Sequence, residues 1–343
     1  MARAVSDDSI AQIRAGGVTR RAFAARALVV ATAALISSHG AAADVKYPER
    51  PLRIVVPFGT GSIADLTTRL VSEKLGAKLG QRIMVENLPG AGGAAAARAT
   101  LQSHADGYTI TMLTSSTAIS VPLFKKLGYD PIKDFVPISS VGFFDCVFVS
   151  NAASEYKTMA DFLTGAHAKP GTLNIGTINV GSTQHLSAEL LKSMSGANFV
   201  VIPFRTPPET IQALMRNDIQ LVVDFPTALH AALADHKLRP VAATGPVGAH
   251  AFGGIPTVAQ AGVPGYEATS WNALYAPSGT PHEYIEILNG ALQEVLVDSE
   301  TRRRAAELGI ETRPGTPAEA DAKMRGDIAK WDKLIADAKI PKQ

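Results

Sequence analysis

The sequence predicts an α/β protein of two units, each a mostly parallel sheet flanked by helices. Three observations carry that prediction. Short apolar runs suited to buried strands alternate with amphipathic stretches of helical length between residues 52 and 244. The chain has 343 residues, 46% apolar and 19% charged, which is enough for two cores under an ordinary globular surface. Loops rich in Gly, Ser and Thr fall where a strand hands over to a helix, the edge at which open α/β sheets bind ligands.

The first 43 residues stand apart from this pattern. Arg20 and Arg21 precede Phe23, residues 27–36 are an apolar core, and Ala41-Ala42-Ala43 offers a small-residue cleavage site before Asp44. That order is an export signal, too short in its apolar part to span a bilayer. The paired arginines fit either a twin-arginine or an ordinary secretory leader. Five of the 33 basic residues and two of the 31 acidic ones lie there, leaving 28 against 29. The formal charge of +2 therefore belongs to the leader, and the rest shows no basic patch for nucleic acid or an anionic membrane. No later segment reaches the roughly 18 apolar residues of a membrane helix. The one cysteine, Cys146, excludes an internal disulfide and reads as a small buried hydrophobe.

Taken in order, an apolar run at 52–57 predicts the first strand. The turn Pro57-Phe58-Gly59-Thr60-Gly61 ends it, and Ser62 and Asp65 open a helix over 64–79 as cap and first-turn residues. A second strand over 82–86 runs into Asn87-Leu88-Pro89-Gly90, then an Ala-rich helix over 94–102 and a third strand over 108–113 closed by Thr114-Ser115-Ser116-Thr117. One strand is expected over 141–150, with the crossing into the second unit near its end. The second unit alternates helix 159–168, strand 172–176, a loop from Thr177 to Gln184, helix 185–193, strand 199–203, helix 208–217, strand 221–224, helix 227–234 and strand 239–244. Residues 245–265 read as loop with one short helix near Val258. Residues 269–276 bring the chain back, and three helices (281–298, 300–308 and 318–338) finish it. No internal repeat is evident.

Three loops share one design of glycine or hydroxyl residues between a strand and a helix: 59–65, 115–120 and 177–185. Such loops gather free backbone amides at the positive end of a helix, an arrangement suited to an anion. The candidate ligand contacts are Phe58, Thr60, Gly61, Ser62 and Asp65, then Ser115 and Ser116, then Thr177, Gly181, Ser182, Thr183 and His185, with Asp224 at the end of an apolar strand. The alternative for each loop is plain turn chemistry. His185 could instead cap or pack, and Asp224 could cap the helix that follows. Arg69 and Arg205 read as exposed. No catalytic set appears: the eight His show no metal-ligand spacing, and no GxSxG elbow, Walker lysine or CxxC is present. No metal and no cofactor are expected.

One rival pattern exists. Gly59-Thr60-Gly61-Ser62-Ile63-Ala64 fits G-x-G-x-x-A between strand and helix, and Glu86 ends the next strand where a dinucleotide fold keeps its ribose acid. It predicts an exported NAD(P)-binding oxidoreductase, although Pro57 and Phe58 distort the turn.

The order of several weaker motifs settles on a different resemblance. YPERPLRIVVPF (47–58), Asp65 with Arg69, VENLPGAGG (85–93), DGYT (106–109), YDPIKDFVPIS (129–139), Gly181-Ser182 with His185-Leu186, IPTVAQAGVPGYEATSW (255–271) and APSGTP (276–281) together resemble the solute receptors of tripartite tricarboxylate transporters, the Bug family. The resemblance implies a two-domain Venus flytrap fold, with residues 44–147 and 270–343 in one domain and 148–269 in the other. It implies a periplasmic, monomeric, non-catalytic receptor for a small carboxylate: a di- or tricarboxylate, an acidic amino acid or an aromatic acid. The partner would be a membrane permease or a sensor kinase ectodomain. In such receptors two facing loops pinch one ligand carboxylate, and by resemblance these are 58–65 and 177–185. The chain departs from the family pattern at Thr60-Gly61-Ser62, where Pro-Gly-Gly is usual, and at Arg205-Thr206 after Pro203-Phe204.

Overall fold

The structure is a computed structural model in which residues 46–343 are described, so the leader expected at 1–43 lies outside the described residues. The chain begins with β1 (Leu52–Val56), α1 (Ile63–Leu79), β2 (Ile83–Asn87), α2 (Ala94–Leu101), β3 (Thr109–Thr114), α3 (Ser115–Leu123) and β4 (Phe135–Phe144). It continues through β5 (Val147–Asn151), α4 (Met159–Ala168), β6 (Asn174–Ile178), α5 (Thr183–Ser195), β7 (Val200–Phe204), α6 (Pro207–Met215), β8 (Leu221–Asp224), α7 (Pro226–Ala234), β9 (Leu238–Ala243) and α8 (Pro246–Ala251). It ends with β10 (Ser270–Pro277), α9 (His282–Val297), α10 (Ser299–Glu307) and α11 (Pro317–Asp337).

Two five-stranded sheets result, in the orders β2-β1-β3-β10-β4 and β7-β6-β8-β5-β9. The orders correspond strand for strand. In each sheet four strands run one way and the fourth in the order is reversed: β10 is antiparallel to β3 and β4, and β5 to β8 and β9. The reversed strand is in each case the one that enters from the other sheet. That is why each sheet is mixed, although its βαβ half is parallel as the alternation predicts.

Three expectations need correction. The single strand expected over 141–150 is two strands, broken at Asp145-Cys146, where the chain passes from the first sheet to the second. An apolar run carries no sign of which sheet pairs with it, so periodicity alone hides that break. The hydroxyl segment at 115–120 is the first part of α3 rather than a loop, with Thr117 Oγ1 accepting from the Thr114 amide. The short helix of the 245–265 region lies at Pro246–Ala251, started by Pro at its first position, and not near Val258.

Apolar burial continues from one sheet to the other. Leu113, Phe135, Trp271 and Tyr275 from the first share a cluster with Phe148, Ile175 and Val223 from the second. Each such side chain contributes roughly 1.5–3 kcal/mol by leaving water. The last helix, α11, packs on α3, on β4 and on α5 of the second half. Its Asp327 accepts from the Trp271 indole at 2.6 Å inside that contact.

Candidate functional site

The first loop is built by Asp65. Gly61 sits at φ 82°, a left-handed conformation that suits glycine, and turns the chain off β1. Ser62, extended at φ −66° and ψ 157°, caps α1 by accepting the Asp65 amide at 3.2 Å. The Asp65 carboxylate reaches back to accept the Gly61 amide at 2.9 Å and is held from the other side by Arg69 Nε at 2.9 Å and Asn87 Nδ2 at 3.0 Å. Asn87 also donates to the Phe58 carbonyl at 2.9 Å, and its oxygen takes Arg69 at 3.0 Å and Thr60 at 3.4 Å. Burial pushes the Asp65 carboxyl up, but Arg69, the Gly61 amide and Asn87 outweigh it and hold the group below its ordinary value.

The second loop repeats the first. Gly181 has φ 80°, and Ser182 has φ −69° and ψ 161° and accepts the His185 amide at 3.1 Å. The turn amides also match: Ser62 N–H donates to Gly59 O at 3.2 Å, and Ser182 N–H to Asn179 O at 3.1 Å. His185 stands where Asp65 stands, and its Nδ1 takes the Gly181 amide at 3.4 Å. Burial pushes the imidazole down to about 4, so it is neutral in ordinary conditions. No internal repeat is evident from the sequence alone, yet Gly-Ser-x-x-(Asp/His)-Leu recurs 120 residues apart in Gly61–Leu66 and Gly181–Leu186. Six residues with one change of charge are too short to register as a repeat without the fold.

Both loops leave the first-turn amides of α1 and α5 without intrahelical acceptors, aimed off the positive ends of the helices. Two buried hydroxyls and one buried amide oxygen at these strand ends lack partners. Thr177 Oγ1 at the end of β6, and Thr114 Oγ1 and the amide oxygen Asn272 Oδ1 on the paired strands β3 and β10, have none among the described residues. Unpaired buried polar groups are costly in a folded protein and commonly mark where a ligand or ordered water belongs.

Asp224 is buried at the end of β8, with Oδ1 accepting from Gln184 Nε2 at 2.9 Å and from the Phe225 amide at 2.8 Å. Phe225, not Asp224, occupies the cap position of α7. Burial raises the Asp224 carboxyl, and those two donors oppose the rise.

Of the sequence-predicted residues, Phe58, Thr60, Gly61, Ser62 and Asp65 form the first loop. Thr177, Gly181, Ser182, Thr183 and His185 form the second, with Asp224 joined to it through Gln184. Ser115 and Ser116 open α3, and the far end of that helix meets the second loop: a Cβ added at Gly181 would stand 2.1 Å from Leu123 Cδ2. Asp65 and His185 each accept the glycine amide of their own loop, so both shape the loop. Asn87 and Gln184 were missed. Both are neutral amides holding a carboxylate, and Asn87 alone had a signal, its place in the motif VENLPGAGG. Arg69 is tied to Asp65 and Asn87, and Arg205 is exposed. Glu86, the acid required by the dinucleotide reading, is paired with Arg53 at 2.6 Å.

Among the described residues no cluster of His, Cys, Asp or Glu could hold a metal, and no helix is long and apolar enough to cross a membrane. A cavity of about 670 Å³ lies elsewhere, lined by Val247, His250, Arg302 and Arg313 among others. Its Arg313 is occupied by Glu311 and stacks over Phe143.

Known proteins share this architecture. Residues 67–340 match the family described as tripartite tricarboxylate transporter family receptor. Protein BugT of Bordetella pertussis is 29% identical over 307 residues, 88% of this chain and 94% of that one. Among solved structures, a Rhodopseudomonas palustris protein with adipate is 31% identical with a TM-score of 0.74, covering 86% of this chain and 99% of that one. MatC of the same species with bound malate is 28% identical with a TM-score of 0.70, covering 84% and 100%. The periplasmic binding protein BugD is 26% identical with a TM-score of 0.72, covering 87% and 100%.

Proposed function

The chain belongs to the tripartite tricarboxylate transporter receptor family, and from that premise we propose that it captures a small dicarboxylate between its two halves in the periplasm. It delivers the ligand, as a monomer and without chemistry, to a membrane permease of the tripartite tricarboxylate type or to a sensor ectodomain. We read residues 44–147 with 270–343 as one lobe and 148–269 as the other; the chain changes sheet at Asp145-Cys146, two residues before that boundary, and again before Ser270. The observation that carries the ligand class is the duplicated Gly-Ser helix start. Two sets of first-turn amides and orphaned hydroxyls suit carboxylate oxygens and require no arginine. The candidate contacts are the loop 58–65, Ser115 and Ser116, the loop 177–185 and Asp224. The adipate and malate held by the relatives support the dicarboxylate class.

The test is a thermal-shift series on the purified protein against adipate, malate, citrate, aspartate and glutamate, with NAD and NADP as controls. A ligand at a hundredfold excess over its Kd adds about 2.7 kcal/mol of stability, a shift of several degrees in a chain of this size. A shift with adipate or malate is expected. A shift with NAD or NADP alone would overturn the receptor reading.

A further inference from the structure

We propose that His185 is a positioning residue of the second carboxylate loop, its unprotonated Nδ1 holding the Gly181 amide as the Asp65 carboxylate holds the Gly61 amide in the first. The inference rests on the carboxylate-receptor reading for its functional consequence, but its geometry stands apart from it. Three backbone features of the first loop recur in the second: the left-handed glycine, the extended serine cap and the turn bond from the serine amide. The loops differ two residues before that glycine, where Asn179 has φ 36° and Gly59 is not left-handed. In both, the fifth residue accepts the glycine amide and offers its own amide to the serine hydroxyl. The glycine amide is thereby spent inside each loop, which leaves the next amides of α1 and α5 to meet a ligand.

An N–H needs a lone pair, so the bond from Gly181 fixes one tautomer of His185, with the proton on Nε2. That nitrogen faces Glu189 Oε1 at 3.9 Å, one turn further along the helix. The first loop has the reverse arrangement, an acid at the fifth residue and Arg69 one turn on. A carboxylate at 185 would stand beside Glu189, which already draws on Lys192 one turn further along the helix, and beside the carboxylate of any ligand. An imidazole supplies the same acceptor without the charge. Burial keeps it in that form, and Glu189, itself raised by burial, does not reverse this. The other charge near the loop, Asp224, meets it through the Gln184 amide.

Two measurements test the proposal. Nitrogen-15 NMR of the imidazoles in the full protein should show His185 with an unprotonated Nδ1 and a protonated Nε2 from pH 8 to pH 5. A protonated Nδ1 would overturn the assignment, whether or not any ligand binds. Titration with malate and with adipate should then separate three variants. His185→Asn keeps an acceptor without charge and should hold affinity within about threefold. His185→Leu keeps bulk without an acceptor and should lose about tenfold or more. His185→Asp should also lose about tenfold, and adding Glu189→Arg, which transplants the pair of the first loop, should restore most of it. Equal affinity in the Asn and Leu variants would remove the positioning role while leaving the receptor reading intact. Absence of malate, adipate or other carboxylate binding by the unaltered protein would sink that reading instead, with the tautomer still deciding the place of His185.

Discussion

The loop segments at 61–65 and 181–185 share a glycine turn and a serine cap and differ in where they put charge. In the first, Asp65 is ionised, buried and surrounded by Arg69, Asn87 and the Gly61 amide. In the second, His185 fills the same place neutral, and the carboxylate of that half lies instead on the neighbouring strand, at Asp224, held by another amide, Gln184. The two sheet orders correspond, so Asp224 at the end of β8 stands where Thr114 stands at the end of β3. Each half thus keeps one buried acid near its helix start, in a different position and satisfied in a different way. The loop conformation depends on an acceptor at the fifth residue and not on its charge. Charge is therefore free to be placed for the ligand.

The largest test of that contrast is Asp65→Ala. It leaves the Arg69 guanidinium, the Asn87 amide and the Gly61 N–H without their shared acceptor, and should lower unfolding free energy by about 3 kcal/mol. Because the carboxyl lies below its ordinary value when folded, its contribution is complete above about pH 4 and is lost as pH falls through the folded value. Asp65→Asn should therefore flatten the acid side of the stability profile. Urea melts at pH 7 and pH 3.5 would read both effects. A loss below about 1 kcal/mol at pH 7 for the Ala variant would mean that the first loop, unlike the second, holds its shape without the fifth residue.

The second test separates what the two glycines touch. Alanine at Gly61 or Gly181 forces a left-handed conformation, at a cost of roughly 1–2 kcal/mol. A side chain at Gly61 meets nothing within 4 Å, whereas one at Gly181 collides with Leu123 of α3. Gly61→Ala should lower stability and weaken binding the less of the two. Gly181→Ala should push the second loop off α3 and weaken carboxylate binding at least tenfold more, with Leu123→Ala restoring part of it. Matching losses of affinity in the two single variants would show that the contact between loop and helix is irrelevant to binding.

Much of this was legible in the sequence. Alternation of apolar runs with Gly and Pro punctuation placed nearly every strand and helix, because those elements follow local period and turn chemistry. The loop starts were legible too, since Gly61-Ser62 and Gly181-Ser182 carry both a turn and a cap. The sheet change at Asp145-Cys146 was not, because pairing partners of a buried strand are chosen at long range. Whether Asp65 and His185 face a ligand or cap and pack was left open by the sequence. A carboxylate or imidazole at a helix start reads as facing a ligand until its acceptors are seen to be occupied, and Asn87 and Gln184 join the site only through contacts made 22 and 40 residues away.

The smallest test asks whether the two caps are equivalent. Ser62 and Ser182 each accept one amide, at 3.2 and 3.1 Å, and removing such a cap costs about 1 kcal/mol. Ser182 also donates to the Ile178 carbonyl at the end of β6, a second bond that Ser62 does not make among the described residues. Ser182→Ala should therefore cost about 0.5–1 kcal/mol more than Ser62→Ala, the net worth of one further hydrogen bond. Thermal melts of the two variants without ligand would resolve that gap, and Thr at each position should recover most of the loss, since its hydroxyl can make the same bonds. If the Ser62 variant proves the less stable of the two, the added bond at Ser182 contributes nothing. The difference between the loops would then rest on Asn87, which ties Phe58 of the first loop to Asp65.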